Sequence, residues 1–263
     1  MDPGIAVLAD LDRPEALTDD LLCGDWRILQ LRRGHRFSTD DVLTAWTAAR
    51  LRPNARRLLD LGAGIGSVGL QTLWRMGPDA RLWMVEVQEV SHRLARRTVT
   101  HNGLDARVVA RHSDMRAPGA LLPEELGSFE LVTGSPPYIP LGKGVVSPHP
   151  QRAGARMELR GDVHDYCRAA VPAMAPGAGL ALCHSAVDPR PELAIAAAGL
   201  TLLWRQDVYF RAGREPTIAL FAAAMEGQRL DPEPIVIRDE TGRWTPQYLA
   251  IRREMGAVLR DVD

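Results

Sequence analysis

Leu58-Leu59-Asp60-Leu61-Gly62-Ala63-Gly64-Ile65-Gly66 decides the reading of this chain. A short apolar run ends in a carboxylate and passes into three glycines at alternate positions. Leu58–Leu61 is a strand candidate, and Ser67–Met76 behind the glycines is a helix candidate. Strand, glycine turn and helix in that order open an α/β sheet of parallel strands, whose ligands bind beyond the carboxyl ends of the strands. Gly62, Gly64 and Gly66 let the backbone turn sharply and approach a ligand with no Cβ in the way. The spacing is G-x-G-x-G, one residue shorter than the G-x-G-x-x-G that cradles a pyrophosphate. It suits a ligand without pyrophosphate; an ordinary strand-to-helix turn is the plainer alternative.

Downstream, short apolar runs alternate with amphipathic stretches. Strands are predicted over Arg81–Val87, Arg107–Arg111, Phe129–Gly134 and Gly179–Ser185. Helices are predicted over Glu89–Asn102, Val163–Ala175 and Pro191–Ala198. Thr201–Phe210 and Thr217–Ala223 read as an antiparallel hairpin at one edge, turning at Arg211–Pro216. The expectation is a mostly parallel seven-stranded α/β sheet with helices on both faces and an antiparallel edge hairpin. Residues 1–55 read as an N-terminal segment, loosely ordered to about residue 20, residues 56–226 as the ligand-binding domain, and 227–263 as an appendage with a final helix near Gln247–Arg260.

Two carboxylates stand at the ends of the next strands. Glu86, twenty residues past Gly66, closes the second strand with Val87 beside it. A carboxylate there accepts both hydroxyls of a ribose, although dinucleotide folds place an acidic residue similarly. Asp114 follows the third strand in Ser113-Asp114-Met115. It suits an acceptor for an adenine amine with Met115 against the ring; a simple turn aspartate is the alternative.

Ser135-Pro136-Pro137-Tyr138 follows the fourth strand. Two prolines fix φ and remove two backbone donors, so a carbonyl there points rigidly outward. An aryl amine is a poor nucleophile because its lone pair is delocalised into the ring. The Ser135 hydroxyl and the Pro136 carbonyl together can accept its two hydrogens and favour a pyramidal nitrogen. Positioning supplies most of such a gain. Tyr138 is a candidate to stack on the acceptor ring.

The composition suits a globular protein, with 46% apolar and 25% charged residues. No apolar run is long enough for a membrane span, and Met1-Asp2-Pro3-Gly4 lacks the basic start of a secretory signal. Cys23, Cys167 and Cys183 are isolated and show no metal-ligand spacing, so no metal is expected. These features predict a cytoplasmic protein. The net charge of -1 argues against a generic polyanion binder. Basic residues are nevertheless grouped, as Arg32, Arg33, His35 and Arg36, as Arg52, Arg56 and Arg57, and as Arg152, Arg156 and Arg160. Lys143 is the only lysine. Arginine bias of this kind follows equally from a GC-rich genome and from phosphate recognition.

Taken together, these residues resemble the Rossmann-like class I methyltransferases, and among them the bacterial valine-tRNA adenine-N6 methyltransferases and their small-methyltransferase-domain relatives. The resemblance covers roughly residues 20 to 250. It includes Gly34-His35-Arg36-Phe37-Ser38-Thr39-Asp40, Asp60 to Gly66, Glu86, Asp114 and Ser135 to Tyr138. It continues in Ala155-Arg156-Met157-Glu158 and Asp239-Glu240-Thr241-Gly242-Arg243-Trp244-Thr245-Pro246. It implies S-adenosylmethionine as cofactor and RNA, above all tRNA, as acceptor. It also implies that the segment Phe37 to Asp40, with Phe37 and Thr39 as its cofactor residues, helps close over the methionine end of the cofactor. Ser135 stands where that family has Asn; Ser occupies the slot in amino-methyltransferases acting on cytosine N4.

Release-factor glutamine methyltransferases share the Pro-Pro-Tyr motif but carry a helical N-terminal domain. Only about 55 residues precede the first strand of the glycine-turn domain here, which weakens that alternative. Small-molecule methylation and a cofactor-binding protein without catalysis are further alternatives. Residues 139 to 157 hold Gly142, Gly144, Pro148, Pro150 and Gly154, too many breakers for a tight turn. A mobile lid over the acceptor and a disordered surface loop both fit.

Overall fold

The computed structural model describes residues 3–140 and 142–257. Helix α1 (Pro3–Asp10) leads into a hairpin of β1 (Leu17–Cys23) and β2 (Trp26–Leu31), paired antiparallel. This corrects the expectation of a loosely ordered start. Asp19-Asp20 masks the strand pattern in the sequence. In the fold Asp20 is neutralised by Thr18 at 2.5 Å, Gln30 at 3.0 Å and Arg36 at 2.9 Å.

Helix α2 (Thr39–Leu51) then runs to β3 (Arg57–Leu61), α3 (Ser67–Met76), β4 (Arg81–Glu86), α4 (Glu89–His101) and β5 (Val108–His112). The chain returns through β6 (Phe129–Gly134), α5 (Pro150–Arg156), α6 (Val163–Ala170), β7 (Met174–Ser185) and α7 (Arg190–Ala197). It closes with β8 (Thr201–Tyr209), β9 (Ile218–Ala224), β10 (Ile235–Val236) and α8 (Pro246–Glu254).

The main sheet has the order β10-β8-β9-β7-β6-β3-β4-β5. The expected seven strands are all present, and the two-residue β10 adds an eighth, parallel to β8. Strands β5, β4, β3, β6 and β7 are mutually parallel. The hairpin β8–β9 is antiparallel, but β9 lies inward against β7 and β10 covers β8. From β3 the chain moves outward through β4 to β5, then recrosses to β6 on the other side of β3. The strand order therefore reverses between β3 and β6, where an open α/β sheet leaves a crevice for ligand.

Both faces of the sheet are covered, and for that reason the strands read as unbroken apolar runs. Leu58, Leu82 and Leu131 point into the core built with β1, β2, α3 and α4. Their neighbours Leu59, Trp83 and Val132 point into the opposite core with α6 and α7. A third cluster joins Leu43 and Trp46 of α2 to Ile235, Ile237, Tyr248 and Ile251 near the C-terminus. Helix α6 ends earlier than the expected Val163–Ala175, because Pro172 cannot continue it and Val171–Ala173 tightens into a 3-10 turn. The expected final helix near Gln247–Arg260 starts on schedule but ends at Glu254, where Met255 caps it and Gly256 turns at φ +70°; residues 258–260 lie outside the described residues. Among the described residues no helix is long and apolar enough to cross a membrane, and no group of three or more His, Cys, Asp or Glu is arranged to hold a metal.

Candidate active site

At the β3–β6 crevice lies a cavity of about 530 Å³. Its walls include Asp60, Gly62 and Gly64 after β3, Glu86 and Val87 after β4, and Asp114 and Met115 after β5. All four residues of Ser135-Pro136-Pro137-Tyr138 line the same space from beyond β6. Motifs spread over some 80 residues of sequence thus open on one cavity because the parallel strands end at one edge.

The glycines have separate reasons. Gly62 sits at φ +57°, and a Cβ on it would lie 1.9 Å from the Tyr166 hydroxyl. Gly64 also has φ +57°, but a Cβ there would meet nothing within 4 Å; this is the open cradle. Gly66, at φ +89°, caps α3, and a Cβ on it would lie 3.2 Å from Leu70 and from Met84. It turns the chain and lies off the cavity wall, unlike the sequence expectation for it.

Phe37 and Thr39 also lie off that wall. The Phe37 N–H donates to Gln30 Oε1 at 2.8 Å and its ring packs on the core. Thr39 Oγ1 lies 3.3 Å from the Tyr248 hydroxyl. Ser38 caps α2, so the alternate residues Ser38 and Asp40, together with Asp41, turn inward.

The floor is acidic. Asp60 is buried; its carboxylate accepts from Thr133 Oγ1 at 2.7 Å and from the Gly69 N–H at 2.9 Å. Burial pushes its carboxyl up to about 7, and Asp41 and Glu86 add to the effect. Asp41 accepts from the Ser38 N–H at 2.7 Å and from Ser67 Oγ at 3.0 Å, and burial raises its pKa. Glu86 accepts from the Gly64 N–H at 2.8 Å and the Gln88 N–H at 2.6 Å, and is raised by burial. Each of these three carboxylates is held by neutral donors. A cation placed beside such carboxylates favours their ionised form, so the floor suits a cationic ligand. S-adenosylmethionine, with a sulfonium and an ammonium, fits both this floor and the Gly64 cradle. Asp114 is more exposed and is gripped by Arg116 at 2.6 Å, which holds its carboxyl below the usual range.

The mouth is basic: Arg36, Arg152, Arg156 and Arg160 border it. Tyr138 donates to Asp40 Oδ2 at 3.4 Å, and its ring meets His184 edge-on with centroids 5.8 Å apart. Tyr166 and Asp41 were not among the sequence-derived site residues, and Ser38 entered only as part of the segment Phe37 to Asp40. Ser38 and Asp41 carry a legible signal, a capping box at the start of α2. Tyr166 carries none, since a tyrosine on an amphipathic helix reads as core.

The stretch 139–157 is more ordered than expected of a mobile loop. Its second half is α5, anchored by buried Gln151, which accepts from the His35 N–H at 3.1 Å and donates to Ser91 Oγ at 3.1 Å. Exposure is concentrated at the tip, where Val145 is 95% accessible.

Residues 37–139 match the methyltransferase small domain family. With the reversed strand order and the cavity at the reversal, the chain has the Rossmann-like fold of the class I methyltransferases. Within that class it resembles the bacterial valine-tRNA adenine-N6 methyltransferases. The tRNA1(Val) (adenine(37)-N6)-methyltransferase of Tolumonas auensis is 25% identical, over 87% of this chain and 93% of its own length. A 4-amino-L-phenylalanine/4-methylamino-L-phenylalanine methyltransferase of Streptomyces pristinaespiralis is 32% identical, over 57% of this chain and 56% of its own. The crystal structure of a predicted O-methyltransferase from Agrobacterium tumefaciens has the same fold: TM-score 0.62, 22% identity, covering 85% of this chain and all of that one.

Proposed function

We propose that this methyltransferase uses S-adenosylmethionine to methylate N6 of an adenine in tRNA. The observation that carries the reading is that the acidic glycine cradle and Ser135-Pro136-Pro137-Tyr138 line one cavity. When bound, S-adenosylmethionine supplies an electrophilic methyl group on its sulfonium.

The chain's residues divide the remaining work. Gly64 leaves the backbone open to the ligand, and Glu86 accepts from the ribose hydroxyls. Asp114 and Met115 take the adenine of the cofactor. Ser135 Oγ and the Pro136 carbonyl hold the two hydrogens of the acceptor amine, which frees the nitrogen lone pair for attack. The Asp40 bond and the His184 contact fix Tyr138 as a flat wall for the acceptor ring. Positioning of this kind is worth several powers of ten in rate.

RNA as acceptor is supported by the relatives that act on tRNA and by the arginine mouth, whose forked donors suit phosphate. The target base must leave its stack to enter the cavity, so a loop nucleotide is favoured over duplex. A second reading, methylation of a small arylamine, is favoured by the relative of that activity.

Mass spectrometry of tRNA nucleosides from wild-type and deletion cells tests the first reading. Loss of N6-methyladenosine from tRNA in the deletion supports it. Unchanged tRNA, with transfer by the purified protein to an aminophenylalanine, gives the second reading instead.

A further inference from the structure

Glu158 belongs to the Ala155-Arg156-Met157-Glu158 motif, of which Ala155 and Arg156 line the cavity and Glu158 does not. It is tied to Arg190, at the start of α7. Arg190 Nη1 donates to Glu158 Oε2 at 3.0 Å, and Nη2 lies 2.7 Å from Oε1. The same guanidinium donates to Asp188 from Nε, at 3.0 Å to each oxygen, and from Nη2 at 2.6 Å. The two carboxylates are only 10% and 15% accessible, so they would repel at close range without the cation between them.

Each of the two residues reaches the end of the acceptor motif by a separate route, Glu158 through its backbone and Asp188 through its carboxylate. The Glu158 N–H donates to the Ile139 carbonyl at 3.0 Å, and the Ile139 N–H donates to the Arg156 carbonyl at 3.2 Å. Asp188 Oδ2 lies 3.8 Å from His184 Nδ1. His184 is fully buried, and its ring is the surface on which Tyr138 rests. The two routes end on adjacent residues, Tyr138 and Ile139. The register supports this: Leu182 pairs with Gly134, which places His184 beside the start of Pro136-Pro137.

We propose that Arg190 is the positioning residue of the acceptor motif, clamping Tyr138 through Asp188 and His184 and Ile139 through Glu158. The clamp touches neither cofactor residue nor acceptor. It sets the spacing between Tyr138 and Ser135 on one side and fixes the base of the 142–149 loop on the other. The part of the inference that concerns turnover rests on the amine-methylating reading of the site.

The test uses the full chain with Arg190→Met, Arg190→Lys and the near-isosteric Glu158→Gln. Three quantities are read: turnover on tRNA, calorimetric affinity for S-adenosylmethionine, and hydrogen exchange at the amides of Ile139 and Glu158. Arg190→Met should lower kcat on the order of 10²-fold, the scale of an ångström-sized misplacement. Cofactor affinity should stay within about twofold. Exchange at the two amides should rise while that of residues 60–70 does not. Arg190→Lys should recover part of the loss. If Arg190→Met does not fold, Glu158→Gln carries the same pattern at smaller size.

Wild-type kcat with wild-type exchange in either variant overturns the clamp. So does loss of cofactor affinity in step with kcat, which would mark a merely structural role. Should the wild type methylate no RNA while exchange at Ile139 and Glu158 still rises in Arg190→Met, the clamp stands and the tRNA reading fails.

Discussion

The Thr133 hydroxyl donates to the Asp60 carboxylate at 2.7 Å between directly paired residues of β3 and β6. This bond spans the reversal of the sheet. Thr133 lies two residues before Ser135, so the strand that leads into the acceptor motif is pinned to the acidic floor.

Asp60 should make the free protein pH-sensitive. Its carboxyl is pushed up to about 7 by burial, against 3.8 for an unperturbed group. A raised acid contributes stability that is present below the unfolded value and is lost as pH rises through about 7. Stability should therefore fall between those limits, and Asp60→Asn should flatten the slope in denaturant titrations. A cationic ligand favours the ionised form, so cofactor binding should release protons near pH ~6 and far fewer near pH ~8. Calorimetry in buffers of different ionisation enthalpy checks this. Equal proton release at both values would exclude Asp60 as the linked group.

Glu86 has two duties, and its loss should show both. It holds the Gly64 and Gln88 amides, and it is the candidate partner of a ribose. Glu86→Ala should weaken S-adenosylmethionine binding by about 1.5–3 kcal/mol, the worth of charge-assisted hydrogen bonds. NAD should bind the wild type much more weakly, given the short glycine spacing. Wild-type protein that fails to bind S-adenosylmethionine in calorimetry would end the cofactor assignment.

Much of this arrangement was legible before any coordinates. The strand-turn-helix at Leu58–Met76 and the residue types at Glu86, Asp114 and Ser135 follow from local rules, because parallel strands must end at one edge. What was not legible depends on contacts between distant segments. Nothing local says that Thr39 meets Tyr248, or that Tyr166 fills the space a Cβ on Gly62 would need. Phe37 and Ser38 are adjacent, yet only the start of α2 decides which of them faces the cavity. The β1–β2 hairpin was hidden because the charge of Asp20 is satisfied by Gln30 and Arg36, ten and sixteen residues away.

Ser135→Ala should lower kcat far more than cofactor affinity, since the hydroxyl is expected to meet only the acceptor amine. Ser135→Asn should preserve or raise turnover on adenine, because an amide oxygen offers an acceptor with longer reach. Undiminished turnover in Ser135→Ala would show that the hydroxyl is not used.

Within 139–157, protection should be uneven. Gln151 and the Ile139–Met157 bridge anchor the ends, whereas Val145 and Val146 at the tip are 95% and 59% accessible. Hydrogen exchange should be fast over 142–149 and slow over 151–157 in the free protein, with the tip slowing when acceptor is added. An already slow tip would rule out its closing over the substrate.

The arginine mouth gives a prediction separable from all the others. Arg36 is committed to Asp20 at 2.9 Å, and Arg32 donates to the carbonyls of Glu15 and Leu17 at 3.2 Å. Those two serve the hairpin first. Arg152 and Arg156 project from α5 at the cavity rim and are exposed. Burial pushes the His35 imidazole toward its neutral form, and the charges of Arg156 and Arg152 add to it. Phosphate contacts release counterions, so tRNA binding should weaken steeply with salt, by a slope near one per contact. Reversing Arg152 and Arg156 to Glu should abolish tRNA binding and lower that slope by about two. Cofactor affinity should hold, because the acidic floor lies below the rim on other elements. Filter binding over a salt series, with calorimetry on the same variant, decides it. A double variant that still methylates tRNA as the wild type does would place the RNA on another face.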